Sequence, residues 1–215
     1  MAQTTGEILA AAQALIADRE LASNIKMIYA SAECDGPQGS FQTQIWSARQ
    51  GYVRFEQRSS RGTTIAAISQ STSWALDGGE VMELDEPTEA FLHSHELHLI
   101  ALDPLSRFSA PSDPWNSEFM GQRALEIQFQ DMLGHPVSLY YDPAQSYPLG
   151  MCSTNPFDQD ADDIEIQFQS WKDLESGACF FTKASFHQSG EVWKYEYTSL
   201  EINNFEMGVF EPSTP

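Results

Sequence analysis

Ile164-Glu165-Ile166-Gln167-Phe168-Gln169 alternates apolar and polar side chains without a break. A period of two places Ile164, Ile166 and Phe168 on one face of a strand and the polar residues on the other. The same alternation recurs at Leu125, Ile127 and Phe129, with Glu126, Gln128 and Gln130 between them, and at Trp193, Tyr195 and Tyr197, with Lys194, Glu196 and Thr198. One greasy face and one wet face per strand is the mark of an antiparallel sheet solvated on one side. Pro136–Tyr141 and Cys179–His187 read as less regular strands beside them.

Working back toward the N-terminus, Ile25–Ala32, Ser40–Ala48, Tyr52–Gln57, Thr63–Ser69 and Ser73–Leu76 read as a second set of strands. Gly36-Pro37, Gln50-Gly51, Arg61-Gly62 and Asp77-Gly78-Gly79 separate them. Turn signals about every ten residues predict a meander. Helical spacing is confined to two places. Thr4 precedes Glu7 in a capping box, and Ile8, Leu9, Ala12, Leu15 and Ile16 form a stripe on a helix of about 18 residues that fades near Ser23-Asn24. Phe91, Leu92, His95, Leu99 and Leu102 predict a second helix over Thr88–Leu102, stopped by Asp103-Pro104. The expectation is an α+β fold in a single domain spanning residues 1–215. It comprises a strongly curved antiparallel sheet of about ten or eleven strands, a half-open β-barrel, with the N-terminal and mid-chain helices over its concave face.

The 215 residues carry 11 basic and 31 acidic side chains, a net charge of −20. That balance argues against a nucleic-acid partner, which needs a basic stripe, and against docking on anionic lipid by charge. With 41% hydrophobic residues the chain is too apolar for an acidic disordered segment. No apolar run approaches the length of a transmembrane helix, and Met1–Thr5 has no signal-peptide pattern. The location expected is therefore periplasmic or cell-envelope if a signal peptide has been removed, and cytoplasmic otherwise. Cys34, Cys152 and Cys179 allow one disulfide plus a thiol, or three thiols.

The layout helix, meander, helices, meander resembles the LolA-like superfamily of lipoprotein carriers. Ile45-Trp46-Ser47-Ala48-Arg49-Gln50-Gly51-Tyr52-Val53-Arg54-Phe55 is similar to its aliphatic-Trp-x-x-Arg-Pro-x-x-aromatic-x-aromatic segment. Gln50 stands in place of the Pro, and Val53 and Phe55 in place of a Phe and a Trp. Trp74-Ala75-Leu76-Asp77-Gly78-Gly79 resembles a family strand and turn, and Tyr141-Asp142-Pro143 through Pro148-Leu149 a family loop. The strand ending in Trp171, the hairpin around Gly190, Ile202-Asn203 and Phe210-Glu211-Pro212 resemble its closing segment. The resemblance implies a periplasmic protein with an apolar cavity under helical lids, which in the carriers receives lipoprotein acyl chains. It implies that Arg49 is the latch holding the lid closed.

The functional reading is a non-enzymatic carrier for an acyl chain or other apolar ligand, with an envelope protein as a further partner. Leu125, Ile127, Phe129, Ile164, Ile166, Phe168, Trp193, Tyr195 and Tyr197 are the expected lining. A metal-dependent hydrolase built on His93, His95 and His98 is the alternative of a different class. On a helix His95 and His98 share a face, while His93 sits about 200° from His95. On a strand His93 and His95 share a face and His98 does not. An acidic protein-interaction module is a third reading. No phosphate loop, nucleophile elbow or zinc signature is present, so no cofactor is expected.

Overall fold

A computed structural model describes residues 3–77, 80–158 and 160–212. The Gly78-Gly79 pair of the family-like turn lies outside the described residues. Thirteen antiparallel strands form one curved, unclosed sheet in the order β6-β5-β4-β3-β2-β1-β13-β12-β11-β10-β9-β8-β7. The first meander comprises β1 (Met27–Gly36), β2 (Gly39–Ala48), β3 (Tyr52–Ser59), β4 (Gly62–Ile68), β5 (Ser73–Asp77) and β6 (Glu80–Glu83). The second comprises β7 (Trp115–Phe119), β8 (Gln122–Gln130), β9 (Pro136–Tyr141), β10 (Pro148–Ser153), β11 (Ile164–Asp173), β12 (Cys179–Gln188) and β13 (Glu191–Ile202). Every neighbour in the sheet is also a neighbour in sequence except at the centre, where β1 pairs with β13. A bulge between Ser31 and Ala32 breaks that pairing's register.

The strand count exceeds the expected ten or eleven. The unforeseen strands are β6, β7 and β10. All four residues of β6 are exposed, so it has no inner face to alternate with. The β7 strand is an edge with one buried residue, Phe119. The β10 strand starts on Pro148 inside a segment that reads as a loop.

Each expected helix is two. The first is α1 (Thr5–Ile16) and α2 (Arg19–Asn24). The capping box forms: Thr4 accepts from the Glu7 amide at 3.3 Å, and Glu7 accepts from the Thr4 amide at 2.8 Å. The break falls at Asp18, whose carboxylate accepts from the Leu21 amide at 2.8 Å and starts a new helix instead of continuing the old one. The mid-chain pair is α3 (Glu86–Ser94) and α4 (Leu97–Leu102). Asp85 caps α3 through the Thr88 amide at 3.0 Å. The chain leaves helical geometry at Glu96, with φ −78° and ψ 51°.

The concave face carries two apolar clusters. The larger joins Ile8, Ala12 and Ile16 of α1 and Leu97, Leu99, Ile100 and Leu102 of α4 to β1 and β8–β12. The smaller places Leu92 of α3 against Ile45, Val53 and Ala66. The convex face is not uniformly wet, as the alternation had implied. Tyr29 packs on Trp46 with ring centres 5.0 Å apart, and the Arg54 guanidinium lies 5.7 Å from the Trp46 ring and 5.5 Å from the Trp74 ring. A 3₁₀ turn at Met207–Phe210 covers this patch. Arg54 donates to the Val209 carbonyl at 2.8 Å and Trp74 Nε1 to the Phe210 carbonyl at 2.9 Å. Glu56 completes it, accepting from Arg54 at 2.6 Å and from Arg58 at 3.1 Å.

Candidate functional site

A cavity of about 320 Å³ opens between three hairpin ends, β1–β2, β3–β4 and β12–β13, with α3 as its further wall. Its rim is polar, with Gln38, Ser40, Gln57, Ser59, Arg61 and Gln188. Its interior is a chain of aromatic contacts. Phe41 meets Tyr195 edge-on at 5.8 Å, Tyr195 meets Phe186 at 4.6 Å, Phe186 stacks on His95 at 5.4 Å, and His95 meets Phe91 at 3.9 Å. The volume is at the low end of the range for small-molecule sites, and an apolar wall with a few polar groups is their usual make-up.

The strand residues of the wall follow from alternation, while Phe91 of α3 and its C-cap His95 come from the helix side. Cys34, Phe41 and Tyr195 share the concave face because Cys34 pairs with both Phe41 and Tyr195 in register, and Phe55 joins them by pairing with Ile45, four residues on from Phe41. Phe186 stands on the same face of β12, two residues from the buried Ala184. Of the nine expected lining residues, Ile164, Trp193 and Tyr195 reach the cavity. Ile127, Phe129, Ile166, Phe168 and Tyr197 are buried in the larger cluster, and Leu125 packs against it half-buried. There Phe168 stacks on Phe181 at 4.4 Å and Tyr197 stands edge-on to His98 at 4.5 Å. Phe41, Phe91 and Phe186 are the cavity aromatics that sequence reasoning left out.

Gly36 positions the indole of Trp193. A Cβ there would lie 2.3 Å from Trp193 Cδ1, so only glycine lets the ring cross the end of β1. Gly36→Ala is expected to displace the indole and to cost about 1–3 kcal/mol, as overpacking does. Tryptophan emission and urea unfolding would report both; an unchanged spectrum and midpoint would refute it.

The helices are tied to the β2–β3 turn by two arginines. Arg49 bonds the carboxylate of Asp103, at the end of α4, at 2.9 Å and the Ala22 carbonyl of α2 at 3.0 Å. Arg107 lies deeper. It pairs through Nε and Nη2 with Glu96, between α3 and α4, and donates to the Ala48 carbonyl at 2.6 Å. His93 Nδ1 meets the same Glu96 carboxylate at 2.7 Å. The two side chains of the Glu96–Arg107 pair are 0% and 2% exposed. No spacing rule marks this pair, which lies across a bend rather than along one helix face.

The three mid-chain histidines diverge. His93 faces Glu96, His95 bonds the Phe91 carbonyl at 2.7 Å, and His98 the Phe181 carbonyl at 3.1 Å. Among the described residues no cluster of His, Cys, Asp or Glu has the arrangement of a metal site, so the metal-hydrolase alternative is not favoured. Cys34, Cys152 and Cys179 are free thiols. Burial pushes the Cys34 and Cys152 thiols up to about 12, far from thiolate reactivity. No helix among the described residues is long and apolar enough to cross a membrane.

No protein-family model and no curated protein sequence matches the chain. Solved structures do match it in shape. A LolA superfamily protein from Nitrosomonas europaea superposes with a TM-score of 0.65 at 12% identity, covering 98% of this chain and 99% of that one. A DUF1329 family protein from Desulfovibrio piger gives 0.57 at 9% identity, over 99% of each chain. A structure described as an outer membrane lipoprotein-sorting protein domain, from Vibrio parahaemolyticus, gives 0.54 at 11% identity, over 89% of this chain and 95% of that one. The protein has a LolA-like fold.

Proposed function

We propose that the protein is a non-enzymatic binding protein that carries an acyl chain, free or attached to a lipoprotein, in the cell envelope. The observation that carries this reading is the aromatic cavity at the hairpin end of the half-barrel, walled by Phe41, Phe91, Phe186, Trp193 and Tyr195. Its likeness in fold to the Vibrio lipoprotein-sorting domain supports the choice of cargo and compartment. An acyl chain leaving water for such a wall gains about 0.8 kcal/mol per methylene. The polar rim, with Arg61 held by Gln38 at 2.9 Å, keeps a headgroup at the water boundary. Helix α3 and its C-cap supply Phe91 and His95, so movement of the helix opens and closes the cavity. Arg49 and Arg107 hold the helices in the closed position.

Titration with dodecanoate, followed by the emission of Trp193, tests this. Saturable quenching or blue shift with a micromolar or tighter Kd is expected, with displacement of a fluorescent fatty acid at the same concentration. A silent titration and no bound probe would remove the reading.

A further inference from the structure

His95 is 9% exposed and stands in the aromatic wall between Phe91 and Phe186. Its Nδ1 lies 2.7 Å from the Phe91 carbonyl oxygen, which can only accept, so Nδ1 carries the ring hydrogen. Ser94 Oγ, 3.2 Å from the same nitrogen, donates to the same carbonyl at 2.8 Å. In a neutral imidazole with Nδ1 protonated, Nε2 is a bare acceptor. Nε2 has no hydrogen-bond partner among the described residues, and the ring lines the cavity. Burial pushes the His95 pKa down to about 4, so the ring is uncharged at neutral pH and attracts no carboxylate. An acceptor in the wall of a ligand space, once a ligand covers it, discriminates between ligands that satisfy it and ligands that do not.

An acyl chain's ester or carboxylate oxygens only accept, and its methylenes do neither. A hydroxyl donates. We infer that His95 is a specificity residue whose Nε2 accepts from a hydroxyl on the buried part of the ligand, so that the preferred cargo is a hydroxylated acyl chain over a plain one. The inference rests on the carrier reading above and adds the chemistry of the cargo to it.

The test compares dodecanoate with its hydroxy derivatives, the hydroxyl placed next to the headgroup, at mid-chain or at the far end. Each competes with the same fluorescent fatty acid for the full chain. In the wild type, one position of the hydroxyl is expected to tighten binding about three- to tenfold over dodecanoate, the usual worth of one buried hydrogen bond. In His95→Phe, which keeps an aromatic ring in the wall, the ratio of hydroxy-derivative to dodecanoate affinity is expected to fall to about one, whatever the change in dodecanoate affinity itself. His95→Gln, which restores an acceptor, is expected to recover part of the preference. Dodecanoate binding as tightly as every hydroxy derivative in the wild type would overturn the inference and leave the carrier reading standing, whether or not the variants fold. A preference undiminished in a folded His95→Phe would overturn it also. Binding of neither class would overturn both.

Discussion

Arg107→Ala is expected to lower the unfolding free energy by about 3–5 kcal/mol, the cost of removing one partner from a buried ion pair. Arg107 and Glu96 are both inside the protein, and the arginine also donates to the Ala48 carbonyl. Truncation leaves the Glu96 carboxylate buried with only His93 beside it, and leaves the Ala48 carbonyl with the Gly51 amide, at 3.2 Å, in place of two donors. Domains of this kind are stable by about 5–15 kcal/mol, so the loss is a large share of the whole. Arg49→Ala makes the informative contrast. Arg49 and Asp103 are 29% and 24% exposed, and a pair so hydrated is worth about 1 kcal/mol or less. Urea unfolding of both variants would rank them. A loss under about 1 kcal/mol for Arg107→Ala, or a larger loss for Arg49→Ala, would show that Glu96 is not an uncompensated charge.

Stability is expected to fall steeply in mild acid. Burial pushes His95 and His98 from 6.5 down to about 4, with their bonds to Phe91 and Phe181 only partly offsetting it. Both imidazoles are neutral in the folded protein at pH 5, whereas in the unfolded chain both are charged. The unfolded state therefore binds up to two more protons between about pH 6.5 and 4. The contribution is fully present above 6.5 and is lost as pH falls through that window, at up to about 2.7 kcal/mol per pH unit near its middle. The capping carboxylates Glu7 and Asp85 are held below their ordinary values by bonds from Thr4 and Thr88. Urea midpoints at pH 7, 6 and 5 would trace the slope, and His95→Phe should remove about half of it. A flat profile above pH 5 would sink the argument.

The sheet was legible wherever one face of a strand is buried and the other wet. Ile164–Gln169, Leu125–Gln130 and Trp193–Thr198 announced themselves that way. The β6 strand did not, because Glu80–Glu83 buries nothing on either side. The helix breaks at Asp18 and Glu96 were hidden for another reason: both fall within an unbroken apolar stripe, and a local cap or a bend outweighs periodicity there. Alternation also says which face a side chain takes but not how far along the half-barrel it sits. Phe168 and Tyr195 share the concave face, yet Phe168 packs against Phe181 in the core while Tyr195 meets the cavity. The Glu96–Arg107 pair joins residues 11 apart around two turns of chain, so no spacing rule points to it.

The single non-sequential pairing in the sheet, β1 with β13, sets an order of events for the growing chain. Each meander consists of hairpins between adjacent segments, whose loops close at small entropic cost. The pairing of Ile28 with Ile202 instead spans most of the sequence. During N-to-C synthesis β1 emerges before every other strand of the sheet, pairs with β2 on one side, and keeps its other edge bare until β13 has been made. That edge is the middle of the finished sheet, and its only exposed acids, Glu33 and Asp35, sit at one end of the strand, so Met27–Ala32 has no charge to guard it. The nascent first half is thus a sticky half-sheet for most of its synthesis, and whatever holds it apart from other chains must act before β13 arrives.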